Sequence, residues 1–185
     1  MPQTDINHAD IRTRFIFDDM PVRGLHVRLE NVWEHIAGQK HYPAAIRRAL
    51  GELLAAGALL SSNLKNEGTL IVQVQGQGRL KMLVVEATSD NTVRATARWD
   101  ETADIHDDES LTDLLGSNSV FVLTHQPKDA EPWQGVVPLE GDNIAQMLMN
   151  YIKRSEQLDT HIVLAASDHV SGGLLVQRLP EEELD

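Results

Sequence analysis

The sequence predicts an α+β fold, in which mixed or antiparallel β-sheets form a single body with a long central helix and further helices packed between and against the sheets. The stretch 68–86 (GTLIVQVQGQGRLKMLVVE) alternates apolar and polar residues on both sides of Gly76–Gly78, which is typical of a β-hairpin. The stretch from Pro43 to about Asn66 has apolar residues at helical spacing and little polar surface in its middle. Such a helix is expected to be buried on more than one side, with sheets around it.

The segment before the long helix predicts a hairpin and one short helix. The two strands are predicted at Arg12–Phe17 and Val22–Leu29. Gly24 interrupts the second strand and indicates a bulge or a close approach of the backbone. Asn31 with Glu34 resembles a capping box, so a short helix is expected to begin there and to end at Gly38.

Pro43 suits the first position of the long helix, and the run Ala55–Ala58 in its middle is small on every side. Neighbouring backbones are therefore expected to approach this helix closely. In the hairpin that follows, Gly76 and Gly78 are expected to supply a turn that uses glycine's freedom to adopt positive φ.

The remainder of the chain predicts five strands and two helices. The strands are expected at Thr92–Trp99, Ser119–Leu123, Gln134–Leu139, Thr160–Ala166 and Gly173–Leu179. Ser110 is the expected cap of a short helix over Leu111–Leu115, and Asp142 is the expected cap of a second helix with Ile144, Met147, Leu148, Tyr151 and Ile152 on one face. Ser171-Gly172-Gly173 is interpreted as part of a turn between the last two strands.

Composition limits the class of protein. The 185 residues (20.6 kDa) suffice for one full hydrophobic core, and an apolar content of 42% is that of a globular protein. The chain has no cysteine, which excludes disulfides, thiol nucleophiles and cysteine zinc sites within it. No segment approaches the roughly 20 apolar residues of a membrane span, and the N-terminus lacks the apolar core of a secretory signal. We therefore expect no membrane partner and a cytoplasmic location.

The net charge of −12 is concentrated in two segments. Residues 100–113 carry seven acidic residues and 181–185 carry four, which leaves 17 acidic against 16 basic residues elsewhere. A nearly neutral body with two acidic segments offers no clustered basic face for phosphate groups, so nucleic acid is not an expected partner.

Several common nucleotide-binding and catalytic motifs are absent from the sequence. Gly76-x-Gly78 lacks the third glycine of a dinucleotide fingerprint, and there is no P-loop and no G-x-S-x-G elbow. None of the eight histidines belongs to H-E-x-x-H or to another spacing that places two metal ligands on one helical face. His106, Asp107 and Asp108 could bind a divalent cation, although they lack the order of a calcium loop. We assign no catalytic, cofactor-binding or metal-binding residue.

Several phrases, taken in order and spacing over nearly the whole chain, resemble one family, the redox-regulated holdase chaperones known as the 33 kDa heat-shock protein. They are Val22-Arg23-Gly24, His41-Tyr42-Pro43, Gly68-x-Leu70 with Gln73-Val74-Gln75-Gly76-x-Gly78, Gln134-Gly135-Val136-Val137 with Leu139-Glu140-Gly141-Asp142, Tyr151 with Arg154-Ser155-Glu156-Gln157-Leu158, and Gly172-Gly173-Leu174-Leu175-Val176-Gln177 before Pro180. Each phrase alone is weak, and the match rests on all of them together.

The resemblance implies an N-terminal body and a C-terminal part with four cysteines that hold zinc when reduced. Because this chain has no cysteine, it resembles the body alone: residues 1–180 form the body and 181–185 begin an acidic linker. Zinc and the redox switch belong to the missing part, and no cofactor is expected in this chain.

The resemblance also implies a function: a homodimeric holdase that binds unfolding proteins without ATP, prevents their aggregation, and is not an enzyme. The expected partners are unfolded or partly folded client proteins. Two alternatives stay open at this point. The chain could be a metal-assisted hydrolase that uses the loop with His106, Asp107 and Asp108, or a purely structural dimerisation module.

Overall fold

A computed structural model describes residues 9–64 and 67–180. The expected acidic tail at 181–185 lies outside the described residues. The long helix ends at Ser61 and not near Asn66, and there the hydroxyls of Ser61 and Ser62 both donate to the carbonyl oxygen of Ala58. The strands are β1 (Asp10–Ile16), β2 (Val22–Leu29), β3 (Gly68–Gln75), β4 (Leu80–Thr88), β5 (Val93–Trp99), β6 (Val120–Pro127), β7 (Trp133–Pro138), β8 (Thr160–Ala166) and β9 (Ser171–Arg178). The helices are α1 (Asn31–Ala37), α2 (Ala44–Ser61), α3 (Leu111–Leu115) and α4 (Ile144–Ser155).

The strands form two sheets, and every neighbouring pair of strands is antiparallel. One sheet has four strands in the order β1-β2-β9-β8, and the other has five in the order β5-β4-β3-β6-β7. Helix α2 contacts strands of both sheets, and α4 contacts both α2 and β8. The predicted α+β fold with a long central helix is therefore confirmed, and the sheets are antiparallel rather than mixed.

Small residues let α2 lie close to both sheets. A Cβ added to Gly57 would lie 2.6 Å from Val85 of β4 in the five-stranded sheet. On the opposite side, a Cβ added to Gly51 would lie 2.5 Å from the Cβ of Ala166 in β8. Leu50, Leu53 and Leu54 are fully buried between these contacts. The small residues of this helix therefore give room to side chains of both sheets; at Gly57 the group that approaches is the side chain of Val85 and not a neighbouring backbone.

The glycines of the β3–β4 hairpin serve a different purpose from the one that the sequence predicts. Neither Gly76 nor Gly78 has a positive φ; Gly116 and Gly141 do. Gly78 instead lies against the end of α3, where a Cβ would be 2.4 Å from the carbonyl oxygen of Leu114. The N–H groups of Gln77 and Gly78 both donate to the carbonyl oxygen of Leu115, at 2.9 and 2.6 Å. Glycine is required here because the hairpin backbone lies close to α3, and not because the residue has a positive φ.

Two predicted helix caps are wrong. Asn31 is the first helical residue of α1, and the Glu30 before it makes no side-chain cap. The Oδ1 of Asp10 in β1 accepts instead from the N–H groups of Glu30 (2.9 Å) and Val32 (3.3 Å), so the cap is distant in sequence. At α4 the cap is Asn143 rather than Asp142, since its Oδ1 accepts from the N–H of Gln146 at 3.0 Å.

Ser171, Gly172 and Gly173 belong to β9 and not to the preceding turn. The Oγ of Ser171 donates to the carbonyl oxygen of Gly51 at 2.6 Å, which ties β9 to the middle of α2.

Gly24 lies in regular pairing with Phe15 and makes no bulge. By contrast, Ser110 caps α3 as predicted, because its Oγ accepts from the N–H of Asp113.

Helix α4 covers part of the free edge of β8. The N–H of Ile162 in this strand donates to the Sδ of Met149 in α4, at 3.4 Å. A thioether sulfur is a weak acceptor, yet it takes the position that a carbonyl of a neighbouring strand would otherwise occupy. Among the described residues, no helix is long and apolar enough to span a bilayer.

Candidate functional site: the open face of the four-stranded sheet

The four-stranded sheet has one face on the helices and one face that stays open. Paired residues in an antiparallel sheet project to the same side, so the register identifies both faces. Leu25, Leu175 and Ile162 are paired across β2, β9 and β8 and are buried against the helices. The alternate rows face away from the helices, and we call this surface the open face. Its two central rows are Phe15-Gly24-Val176-His161 and Thr13-His26-Leu174-Val163.

The open face carries exposed apolar side chains. Val163 is 65% exposed and its partner Leu174 is 37% exposed, so no other described element covers them. Among the described residues, six of the eight large hydrophobic side chains that are strongly exposed belong to this sheet and to its β1–β2 turn. They are Phe15, Ile16, Phe17, Met20, Val163 and Leu174. On the open face itself, Phe15, Val163 and Leu174 are exposed beside the polar Thr13, His26 and His161, whereas Ile16 projects to the side of the helices. Exposed apolar surface is a feature of interaction sites.

Gly24 shapes one end of the open face. The ring of Phe15 lies over Gly24, where an added Cβ would be 2.0 Å from the ring. Phe17 contacts the edge of that ring, with 5.8 Å between the ring centroids. The absence of a side chain at position 24 therefore lets an aromatic ring lie flat on the sheet and presents its other surface to solvent.

The loop with His106, Asp107 and Asp108, which the sequence suggests as a metal site, does not form one. The Nε2 of His106 lies 3.7 Å from the Oδ2 of Asp104, and both side chains are largely exposed. Asp107 contributes its backbone carbonyl oxygen, which accepts from Arg48 at 3.1 Å. Over residues 9–64 and 67–180, no group of three or more histidine, aspartate or glutamate side chains converges in a way that could hold a metal ion. The described geometry therefore lends no support to the hydrolase alternative.

The same loop is organised by one ion pair. Arg79 at the β3–β4 hairpin meets both oxygens of the Glu109 carboxylate, at 2.5 and 2.8 Å. The N–H of His106 donates to the same carboxylate at 3.1 Å. The hydrogen bond from Arg79, and then that from the His106 N–H, hold the pKa of Glu109 below its ordinary value.

We therefore expect this loop to loosen at low pH. Because the pKa of Glu109 is lower in the folded protein, its contribution to stability is fully present above the ordinary value near 4.5 and is lost as the pH falls through the lowered pKa. We expect the N–H of His106 to exchange slowly at pH 7 and to lose protection in strong acid, as NMR hydrogen exchange would measure. Glu109→Gln should lose protection already at pH 7, whereas exposed Asp108→Asn should not. Equal protection in both variants would contradict this.

The open face was not predicted, although the sequence carries a signal of it. Strands that face helices on one side and water on the other normally alternate apolar and polar residues. Here Ile162-Val163 and Leu174-Leu175 are apolar at consecutive positions, so one member of each pair must face away from the core. An outward apolar residue on two paired strands indicates a surface that is exposed for contact.

The open face belongs to a body of two antiparallel sheets around a layer of helices. The family model described as Hsp33 protein matches residues 10–185. The chain therefore belongs to the Hsp33 family, as the sequence phrases predict.

Curated relatives carry the same family identity. The chain is 85% identical over 185 residues to the 33 kDa chaperonin of Neisseria meningitidis serogroup A, and this match covers all of the chain and 61% of the relative. It is 50% identical over 179 residues to the 33 kDa chaperonin of Chromobacterium violaceum, which covers 96% of the chain and 60% of the relative. The chain thus spans about three fifths of the length of these relatives, and their names place it in a family of chaperones.

The fold agrees with a solved member of the family. The crystal structure of the 33 kDa chaperonin from Thermotoga maritima matches with a TM-score of 0.83 over 95% of this chain and 63% of that one. Sequence identity is 23%, so this match concerns the fold alone.

Proposed function

We propose that this chain is the body of an ATP-independent holdase, which binds unfolding proteins on the open face and so prevents their aggregation. The observation that carries the proposal is the exposure of Val163 and Leu174, at 65% and 37%, in the middle of a regular sheet. A surface of this kind needs no reacting group, because burial of apolar area is favourable by about 25 cal/mol per Å² whatever the sequence of the client.

The open face suits the binding of an unfolding client better than other surfaces do. A client in the course of unfolding exposes apolar side chains in no fixed order, so its acceptor must be non-directional. A flat sheet face offers this, and its backbone is already held by strand pairing. The acidic loop at 100–113 keeps such a surface soluble, since a protein far from zero net charge resists association.

The remaining features of the family are part of the same proposal. Residues 1–180 constitute the client-binding body and 181–185 begin the linker, while zinc and the oxidation switch belong to the part that the longer relatives have in addition. The body works as a homodimer in the cytoplasm and has no catalytic role. Its lack of cysteine supports placing the switch elsewhere.

A light-scattering assay tests the proposal. A chemically denatured enzyme is diluted into buffer without ATP, with and without this chain in molar excess. We expect the chain to suppress scattering, and the double variant Val163→Gln/Leu174→Gln to lose at least two thirds of this effect. Both positions are exposed, so the substitutions should change stability by no more than about 1 kcal/mol.

The matched control carries the same change on the other sheet. Val136 and Trp133 of β7 are 57% and 52% exposed, and their double substitution by glutamine should leave suppression intact. Equal losses in the two double variants would refute the assignment to the open face. A chain that sediments as a dimer and suppresses no scattering would be a structural dimerisation module instead.

A further inference from the structure

The terminal strand β1 of the four-stranded sheet carries arginines on the side opposite the open face. The register places Arg12 opposite Val27 and Arg14 opposite Leu25, so both side chains project to the side of the helices. Arg23 of β2, opposite Ile16, projects to the same side. We call these three residues the arginine strip. The strand extends past the helix layer, since six of its seven residues are exposed.

Within the described residues, the arginine strip has no carboxylate partner. Arg12 donates to the Oδ1 of Asn91 at 2.5 Å, and Arg23 donates to the Oε1 of Gln177 at 2.6 and 3.0 Å. Partial burial and then the neighbouring charge of Arg14 hold the pKa of Arg12 below its ordinary value. Like charges held side by side on neutral partners favour an anionic ligand.

A groove runs beside the strip and would receive such a ligand. It has a volume of about 350 Å³, with Asp10, Arg12 and Asn91 at its rim and Val27, Leu29 and Ala58 among its apolar lining. The Oδ1 of Asp10 is held by the N–H groups of Glu30 and Val32 at the start of α1, so Arg12 is the rim charge nearest the rest of the strip. The sheet order leaves one edge of β1 without a partner strand, so the outward backbone groups of β1 are available to an added strand. Charge, apolar lining and a free strand edge occur together here.

From these observations we propose that β1 accepts an extended segment of an unfolding protein as an added strand, in which acidic residues alternate with apolar ones. The acidic side chains would lie on the arginine strip, and the apolar side chains would continue the open face beside Ile11 and Phe15. Added strands are held mainly by backbone hydrogen bonds and selected by side chains at alternate positions. This inference deepens the proposed function and rests on it, because it names the class of client segment.

Charge also argues against a second copy of this chain as the occupant. If two β1 strands paired in antiparallel fashion about Thr13, Arg12 of each would lie opposite Arg14 of the other. Like charges directly opposite each other destabilise a strand pair. An acidic segment meets no such obstacle.

The test uses three blocked, fluorescent peptides of nine residues and the anisotropy of each on addition of the chain in 0.15 M salt. The first alternates glutamate with valine, the second has lysine in place of glutamate, and the third is the first with N-methyl groups on alternate backbone amides. We expect the acidic peptide to bind at least tenfold more tightly than the other two. Hydrogen exchange should become slower along β1 and stay unchanged along β7.

Charge reversal provides the matched variant. Arg12→Glu/Arg14→Glu should weaken the acidic peptide at least tenfold and should favour the lysine peptide. Arg98→Glu/Lys153→Glu makes the same change in net charge at exposed positions elsewhere, and it should alter each affinity by less than about twofold, because salt screens distant charges. Circular dichroism confirms that both variants are folded.

The outcomes separate this inference from the proposed function. If scattering is suppressed while the acidic and lysine peptides bind equally, or not at all, the inference fails and the holdase proposal stands. If the N-methylated peptide binds as well as its parent, strand addition is wrong. If Arg12→Glu/Arg14→Glu turns a dimer into a monomer in sedimentation, the strip belongs to a second copy. Without suppression of scattering, both proposals fail.

Discussion

Replacing Trp33 by alanine is expected to lower the free energy of unfolding by about 3–5 kcal/mol, the usual loss when a buried tryptophan is truncated. Trp33 in α1 is fully buried, and its ring lies against Gly51 of α2. Its Nε1 also donates to the carbonyl oxygen of Ser167 at 2.9 Å, so one side chain joins α1, α2 and the β8–β9 turn. Urea unfolding followed by circular dichroism measures the loss.

Two further variants show how much of that loss comes from the hydrogen bond and how much from burial. Trp33→Phe keeps most of the ring and loses the N–H, so it should cost about 1–3 kcal/mol through the unpaired carbonyl and the smaller ring. Trp133→Ala makes the same truncation at a side chain that is 52% exposed, and it should cost about 1 kcal/mol or less. Similar losses at positions 33 and 133 would contradict the packing described for Trp33.

Replacing Gly78 by valine is expected to cost about 2–4 kcal/mol, because the new side chain would meet the backbone of α3 and not a yielding side chain. Its Cβ would lie 2.4 Å from the carbonyl oxygen of Leu114 and 2.8 Å from the carbonyl carbon of Leu115. The hairpin would have to move away and give up both hydrogen bonds to Leu115. Urea unfolding and hydrogen exchange at the N–H of Gly78 would both detect this.

The neighbouring residue supplies the control for this variant. Gln77 is exposed and lies between the two glycines, and its backbone N–H makes the same kind of bond to Leu115. Gln77→Ala keeps that bond and should change stability by less than about 0.5 kcal/mol. An unchanged midpoint for Gly78→Val would show that the contact with α3 is looser than 2.4 Å implies.

Periodicity was sufficient to predict most of this fold. The alternation of Leu70, Val72 and Val74 gave the correct buried face of β3, because a single shift of register would have turned all three towards solvent. The apolar spacing in the stretch after Pro43 gave a helix buried between sheets for a similar reason. Both signals are local, and both reflect the burial of apolar side chains, which is the main driving force of folding.

Interactions between distant residues could not be read from local patterns. The carboxylate that caps α1 comes from Asp10, 20 residues before Glu30. Gly76 and Gly78 looked like turn glycines because their packing partners, Leu114 and Leu115, follow almost forty residues later. In each case the residue type was informative, and its physical purpose depended on what the fold placed beside it.

The open face was harder still to predict. A catalytic site can be recognised in a sequence by residue types with defined spacing, whereas a contact surface is made of the same valines and leucines as the core. Leu174 and Leu175 are adjacent in sequence and equivalent in composition, yet one is 37% exposed and the other is buried. Only the register of β9 with its neighbours separates them.

The sulfur of Met149 at the edge of β8 helps to explain how this chain avoids forming fibres with its own copies. A cross-β fibre grows because every unit offers two open edges, one for the unit above and one for the unit below. Here the hydrogen bond from Ile162 to Met149 closes one edge in part, and the arginines of β1 repel their own copies at the other. Both outer edges of the four-stranded sheet therefore oppose the growth of a fibre from copies of this chain.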